Sequence, residues 1–415
     1  MLGKGAILTV FGFILAFSAY QVRMSSNVLR TSDNFNESYV ETLMHETALS
    51  AMNLAVNKVW DKDVKSDTFL VVANHCSAGV QISQKGADTI KIKIRTWGFL
   101  YDEELEKTTR RTDSISAFFA YNMPISKYFW FTQDEKGVFW ITGDTVWGPV
   151  HTNKTIKTSG SPVFYGKVTA FYGIEPDPSK PKNKALYYGG YEVGIENEIP
   201  TDMSHLINAA KIGNGGSFTT KNTICYYEDK VSFEFLSNGY VIRSVASGPP
   251  DTVKVTDIAP TGVIYCTDEV RVKGTFNGQV TIYNEKPMWI DDDLVYADNP
   301  LTNPNSNDIL GLVSKDFIYV TDNAPNNNDV HIQAAMLSLE KSFKAENYNS
   351  RPKAGTLNLT GSVAQFHRGP VGTFSGPGVL HTGFSKRYRF DPRLSLISPP
   401  HFPYIKSMRL VAWWE

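Results

Sequence analysis

The densest group of side chains that could do chemistry in this sequence is acidic. Asp291, Asp292 and Asp293 follow one another in "WIDDDLVYAD", and Asp298 comes shortly after them. Carboxylates on one face of a sheet serve as acid and base in glycan cleavage, and carboxylate and amide oxygens bind calcium. No D-x-D-x-D-G loop and no nonapeptide calcium repeat accompanies them. We expect a charged turn beside a strand, with a calcium site as the alternative.

The cysteines are too few for a disulfide framework. Cys76, Cys225 and Cys266 contain no C-x-x-C pair for zinc or redox chemistry. Cys225 and Cys266 each lie in a strand-like stretch, "TICYY" and "VIYCT". We expect buried free thiols, and a Cys225–Cys266 disulfide is the alternative for an exported chain.

The remaining polar motifs predict no enzyme and no cofactor beyond the calcium alternative. The eight histidines are scattered and form no H-E-x-x-H motif, and no G-x-S-x-G is present. His151 in "GPVHTNKT" fits a functional histidine and a strand-end histidine bonded to the next strand equally well. The formal net charge is −1, so there is no excess of basic residues for nucleic acid.

The N-terminus carries the strongest single signal in the chain. Between Lys4 and Arg23, eighteen residues have no charge, and as a helix they would span about 27 Å, close to one hydrocarbon core. A signal peptidase site is poorly formed, because Phe17 precedes Ala19 by two positions. We predict a transmembrane or stem helix over residues 1–33. Its apolar contact residues are Ala6, Ile7, Leu8, Val10, Phe11, Phe13, Ile14, Leu15 and Phe17.

An amphipathic helix should follow this stem. The apolar side chains between residues 34 and 60 recur at helical spacing and form one stripe. The stripe consists of Val40, Leu43, Met44, Ala48, Ala51, Met52, Ala55 and Val59. The polar "TSDN" joint leaves open whether the helix restarts near Asn34 or runs through.

This N-terminal arrangement resembles bacterial type IV pilin-like proteins, particularly minor pilins with Gly-Ala at the start of the stem. The resemblance implies processing between Gly5 and Ala6, and self-association through the N-terminal helix. It also implies an inner-membrane location before assembly with pilus or secretion components, and a cell-surface or extracellular filament afterwards, with the head outside the cytoplasm. Most pilins carry a glutamate at the fifth mature position, where this chain has Val10.

The first globular section, residues 34–135, is predicted to be the amphipathic helix packed on a sheet. In "TIKIKIRTW", Ile90, Ile92 and Ile94 alternate with basic side chains. Strict alternation predicts a strand with one buried and one solvated face. The whole chain is therefore expected to be mainly β, with an N-terminal helical stem and a small α+β section.

A weak repeat in the rest of the chain predicts a coiled sheet. Three stretches share two glycines followed by a valine, and the glycines would turn corners between short strands. The pairs are Gly160 with Gly166, Gly274 with Gly278, and Gly361 with Gly369. We predict a decorated right-handed β-solenoid (a β-helix) over residues 136–173 and 251–415, with a β-sandwich as the alternative.

Residues 174–250 are predicted to be an insertion in that solenoid. They include a β-hairpin with an Asn238-Gly239 turn in "VSFEFLSNGYVIRSV". Further on, "HIQAAMLSLEKSFKAENYN" is predicted to be a helix with a strand-like entry.

Several blocks within residues 138–173 and 262–404 also resemble an uncharacterised bacterial domain family, found chiefly in Bacteroidota-like bacteria. They include "GSPVFYGKVT", "DEVRVKGTFNGQVTI" and "KRYRFDPRLSLISPPHFP". The resemblance implies an envelope or surface role and no enzymatic activity.

Together these observations predict a structural envelope protein, namely a pilin-like subunit, tip or adaptor of a type IV pilus-like or secretion filament, with adhesive loops. The alternative is a membrane-anchored β-helix that binds or cleaves a surface polysaccharide.

Overall fold

The computed structural model describes residues 3–62, 64–85, 89–102, 106–375 and 379–415, with side chains throughout except at residues 3–7, 102 and 121. The chain forms two units. The first comprises Met1–Asn122 and Ser407–Glu415, and the second comprises Met123–Lys406.

The helices and strands are as follows. The α-helices are α1 (Gly3–Lys62), α2 (Ser204–Gly213) and α3 (Val255–Ile258). The first strands are β1 (Ser66–Ala73), β2 (Cys76–Gln84), β3 (Thr89–Asp102), β4 (Lys107–Pro124), β5 (Trp130–Asp134), β6 (Trp140–Ile141), β7 (Thr145–Trp147), β8 (Val150–Thr152), β9 (Thr155–Ser159), β10 (Val163–Phe164), β11 (Val168–Ala170), β12 (Gly173–Glu175), β13 (Leu186–Tyr187) and β14 (Tyr191–Val193). They are followed by β15 (Tyr226–Tyr227), β16 (Val231–Phe235), β17 (Tyr240–Val245), β18 (Asp251–Lys254), β19 (Val263–Cys266), β20 (Val270–Phe276), β21 (Gln279–Asn284) and β22 (Met288–Tyr296). The last strands are β23 (Ile309–Ser314), β24 (Ile318–Val320), β25 (Val330–Ser338), β26 (Phe343–Ala345), β27 (Lys353–His367), β28 (Gly372–Phe374), β29 (Leu380–Phe390) and β30 (Tyr404–Trp414).

Helix α1 is continuous over 60 residues, which corresponds to a length of about 90 Å. The sequence from residue 13 to residue 62 contains no proline or glycine, so nothing there breaks the helix. At the polar joint the Thr31 hydroxyl donates to the Asn27 carbonyl at 2.8 Å, one helical turn back. The helix therefore runs through "TSDN" and does not restart near Asn34.

The second half of α1 packs on a five-stranded sheet with the order β1-β2-β3-β4-β30. The pairs from β1 to β4 are antiparallel, and Ile92 lies opposite Ile82 on one side and Ala117 on the other. The three isoleucines of β3 are fully buried, and they share a core with Ala48, Ala51, Ala55 and other stripe residues of α1. The predicted amphipathic helix on a half-buried sheet is confirmed.

The second unit consists mainly of short strands that pair in parallel. One run of parallel neighbours follows the order β14-β11-β8-β5-β27-β25-β23-β21-β19-β15. A second run follows β13-β10-β7-β29-β27-β25-β22-β20-β16. The long strands β25 and β27 belong to both runs.

Successive turns of the chain lie side by side in these runs. For example, β19 and β20 are followed by β21 and β22, which pair with them in parallel. Parallel coils of this kind are the pairing that a β-solenoid uses, whereas β-sandwiches are built from antiparallel sheets. A long helix followed by a β-rich unit is thus confirmed, and the right-handed solenoid stays a prediction.

The order of the coils in space differs from their order in the sequence. Strand β5 pairs with β27 and strand β7 with β29, so residues 130–193 extend the C-terminal end of the stack. Residues 174–250, predicted to be an insertion, instead contribute strands to both ends. β13 and β14 extend one end, and β15 and β16 extend the other.

Three local predictions have different outcomes. The hairpin is confirmed, because β16 and β17 pair antiparallel around Gly239, whose φ is +81°. The helix predicted in "HIQAAMLSLEKSFKAENYN" is wrong, since this stretch forms β25 and β26, buried between parallel neighbours where strands are almost wholly apolar. The division between units falls at Asn122 and not at residue 135, because β5 pairs within the second unit.

Candidate functional site

The apolar stem is exposed along its described length. The side chain of Leu8 is 74% exposed and that of Phe13 is 76% exposed. The other predicted contact residues with described side chains are also more than half exposed, namely Val10, Phe11, Ile14, Leu15 and Phe17. The processing residue Gly5 lies in α1, as do Ala6 and Ile7, but the side chains of Ala6 and Ile7 are outside the described part of the chain.

The helix that carries these side chains is long and apolar enough to cross a membrane by length and composition. An N-terminal signal sequence passes the same test, so the distinction depends on the rest of the helix. Here α1 continues without a break into the half that packs on the sheet. The exposed apolar segment is therefore one rigid extension of a folded unit.

The acidic cluster does not form a common site in the structure. Asp291 accepts hydrogen bonds from Arg271 Nη1 at 2.7 Å and from Thr321 Oγ1 at 2.6 Å. The Asp293 carboxylate accepts from the backbone N–H of His331 at 2.7 Å. Each of these carboxylates is thus held by partners on a different neighbouring strand or loop.

The two other carboxylates also have local partners. Asp292 accepts from the backbone N–H of Asp293 at 2.8 Å, and Asp298 accepts from Asn303 Nδ2 at 2.7 Å. Within the described residues, no group of three or more His, Cys, Asp or Glu side chains is placed to hold a metal ion. The charged turn expected from the sequence is wrong, because Asp291, Asp292 and Asp293 lie within β22, and the calcium alternative for these residues and Asp298 stays a prediction.

The cysteines are all free and buried. The Cys225 thiol donates to the Ala210 carbonyl at 3.1 Å, and burial raises its pKa to about 11. Burial also raises the pKa of Cys266 well above its ordinary value. The disulfide alternative for Cys225 and Cys266 is not formed, and neither thiol is activated for chemistry.

His151 is fully buried between neighbouring strands. Its Nδ1 lies 2.7 Å from Thr169 Oγ1 on β11, and its Nε2 lies 2.9 Å from Asn153 Oδ1. Burial lowers the pKa of His151 to about 4. The side chain is therefore a neutral bridge from β8 to the next strand, which is the structural alternative considered from the sequence.

The predicted corner glycines lie mainly where strands approach closely. A Cβ at Gly361, whose φ is +150°, would collide with the backbone oxygen of Ala334 on the neighbouring strand. The nearest atom to an added Cβ is likewise a backbone oxygen of a neighbouring strand or loop at Gly166, Gly274 and Gly369. At Gly160 the nearest atom belongs to the Thr142 side chain, and Gly278 has room for a Cβ but has a φ of +138°.

The second unit contains a cavity of about 260 Å³ that no sequence pattern predicts. Its walls come from β5, from the segment around Phe139, and from β29 and the residues just before β28. Two cations line it, Arg368 and Lys386, and each is paired with a carboxylate that lies more than 200 positions earlier in the sequence, Glu135 and Asp144 respectively. No local motif could have identified it.

Comparisons with known proteins add little to this description. No protein-family model matches the chain, and no curated protein matches it. The resemblance to an uncharacterised bacterial family therefore stays a prediction. The crystal structure of the competence-associated pilin ComZ from Thermus thermophilus aligns with 91% of this chain and 97% of its own, at 10% identity and a TM-score of 0.33. At that TM-score the likeness carries no argument about fold or function.

Proposed function

We propose that this chain is a pilin-like structural subunit, tip or adaptor of a type IV pilus-like or secretion filament. In this proposal the first half of α1 lies in the membrane before assembly and among other stems afterwards. The second half of α1 connects it to the globular units outside the cytoplasm.

One observation carries the proposal, namely the continuity of α1 from an exposed apolar half to a half packed on a sheet. Leaving the apolar half in water would cost tens of kcal/mol at about 25 cal/mol per Å². A disposable signal sequence would not be continuous with a helix that completes a folded core. The stem therefore functions as part of the mature protein.

The role is proposed to be structural and not enzymatic. The carboxylates considered for glycan cleavage are tied to separate partners, and the buried cysteines have raised pKa values. Assembly components, lipid and other copies of the chain are the proposed partners.

Flotation of the full chain on lipid vesicles tests this proposal. We expect the chain to float with the vesicles and to resist extraction at high pH, as an inserted helix does. A chain that lacks residues 1–33 should stay in the soluble fraction, because the remaining part of α1 buries its apolar stripe on its own sheet. Equal flotation of both chains would contradict the proposal.

A second measurement separates anchoring from assembly. Chemical cross-linking of the full chain in vesicles should give stem-dependent oligomers if stems pack together. If cross-linking gives only monomers while the chain still floats with the vesicles, the stem anchors the protein but does not mediate self-assembly, and the protein is then an anchored adaptor.

A further inference from the structure

The cavity in the second unit has aromatic walls. Trp130, Phe139, Phe374 and Tyr388 line it. Trp130 stacks on Tyr388 with ring centroids 5.4 Å apart, and both are buried, whereas Phe139 is 46% exposed at the surface. The cavity is thus built on a rigid aromatic base and has a more accessible aromatic residue at its side.

Two buried ion pairs bring polar groups to the same place. Arg368 Nη1 donates to Glu135 Oε2 at 2.6 Å, and both side chains are at most 3% exposed. Lys386 Nζ donates to Asp144 Oδ2 at 2.9 Å, and burial lowers the pKa of Lys386 while Asp144 opposes that change. Arg368 and Lys386 both line the cavity.

These pairs leave the site electrically balanced, with two cations against two carboxylates. Burying ion pairs costs several kcal/mol of desolvation per ion, and apolar residues would fill the same volume at lower cost. Positioned, neutralised charges in a cavity wall are suited to a ligand that has many polar groups but no net charge.

Buried indole N–H groups without a hydrogen-bond partner are a second, independent sign that this region binds a ligand. The indole Nε1 atoms of Trp130 and Trp140 are buried without a hydrogen-bond partner among the described residues. A buried donor without a partner costs about 1–3 kcal/mol. Of the two, Trp130 lines the cavity, whereas the Trp140 ring, which is not part of the lining, lies under the Arg368 guanidinium with 3.8 Å between Cζ and the ring centroid.

We propose that this cavity binds one neutral sugar ring, either free or at the end of a glycan. The aromatic side chains would contact the C–H face of the ring, and Arg368 and Lys386, which line the cavity, would donate hydrogen bonds to its hydroxyls. The volume lies just below the ~300–1,000 Å³ typical of pockets for drug-sized ligands, which suits a single ring. This inference is independent of the proposed role of the stem.

The test is a titration of the full chain, purified in a detergent without a sugar headgroup. The probes are glucose, galactose, N-acetylglucosamine and the anionic glucuronic acid, followed by tryptophan fluorescence and calorimetry. At least one neutral sugar should bind with a dissociation constant of about 1–10 mM, as expected for a site with few contacts.

The exposed wall of the cavity supplies the variants. Phe139→Ala should weaken binding about tenfold, because it removes one aromatic contact. Phe374→Ala, at another aromatic residue of the lining, should have a similar effect. Tyr172→Ala, at a 65% exposed tyrosine outside the cavity lining, is the matched control and should bind as the unmodified chain does. Unchanged melting temperatures for all three variants would show that they fold.

Three outcomes would overturn the proposal. They are no saturable binding of any neutral sugar up to about 100 mM, binding of glucuronic acid alone, or equal binding by the Phe139→Ala and Tyr172→Ala chains. None of these outcomes affects the flotation experiment, so the two proposals fail separately.

Discussion

The two halves of α1 have the same backbone but opposite surroundings. In the first half, apolar side chains such as Leu8 and Phe13 are about three-quarters exposed, whereas in the second half Ala48, Ala51 and Ala55 are completely buried. Both halves contain good helix formers, and no breaker separates them. The difference lies in what covers the apolar side chains, because a sheet covers the second half.

This difference indicates how each half is stabilised. A helix in water depends mainly on tertiary packing of an amphipathic face. The second half has that packing on β2 and β3, and it needs no further partner. The first half contains an uncharged and mainly apolar segment, Gly5 to Val22, as is typical of a helix surrounded by lipid or by other helices.

The largest effect is expected from two charges placed in the first half. Phe11→Lys with Leu15→Lys should make membrane insertion less favourable by about 6 kcal/mol, at roughly 3 kcal/mol per lysine near the helix centre. The measurement is vesicle flotation, and the melting temperature of the soluble units should not change.

The matched control places the same charges between the uncharged segment, which ends at Val22, and the polar joint "TSDN". Ser25→Lys with Asn27→Lys adds two lysines to exposed positions of the same helix and should leave flotation unchanged. If both double variants float equally, the first half does not enter the bilayer.

A smaller effect is expected from a substitution that leaves an empty space between the second half of α1 and its sheet. Ile92→Ala removes a fully buried side chain between α1 and the sheet, and should lower the free energy of unfolding by about 2–5 kcal/mol. Chemical denaturation followed by circular dichroism measures it. Arg95→Ala, at an exposed position of the same strand, should change stability by no more than about 0.5 kcal/mol. A large loss of flotation in Ile92→Ala would contradict the separation of the two halves.

A third test acts on the second unit without altering either half of α1. The pKa of His151 is about 4 in the folded chain and about 6.5 when unfolded, so the unfolded chain binds the proton more readily between these values. The stability that His151 contributes is complete above pH 6.5 and is lost as the pH falls towards 4, by up to about 3 kcal/mol. Thermal melting between pH 7 and pH 4 measures this loss.

The variant His151→Gln separates the loss of stability caused by protonation of His151 from the losses caused by protonation of other groups. It keeps a donor and an acceptor but does not titrate, so its melting temperature should fall less than that of the unmodified chain over the same pH range. Identical pH dependence would show that His151 is not the group responsible, and flotation at pH 5 should match flotation at pH 7 in both chains.

The sequence predicts local patterns well in this chain. Alternation identified the buried face of β3, helical spacing identified the stripe on α1, and Asn238-Gly239 identified the β16–β17 hairpin. In each case the physical cause acts over a few residues, through periodicity or through a turn that needs a positive φ.

Long-range arrangement could not be obtained in the same way. The pairing of β5 with β27 and the ion pair between Glu135 and Arg368 join residues more than 200 positions apart. The apolar stretch that became β25 could be read as a helix or a strand, because burial on both faces removes the alternation. The cavity is lined by residues that are distant in the sequence, such as Trp130 and Arg368, so it is visible only in the folded chain.

The central claim is that the apolar stem is retained in the mature protein. Intact-mass measurement and N-terminal sequencing of the chain from the membrane fraction of the cells that make it test this most directly. We predict a mature chain that keeps the stem, beginning at Ala6 if the pilin-like processing site is used. A mature N-terminus at Tyr20 or beyond would contradict the account, because the apolar contact residues up to Phe17 would then belong to a discarded signal.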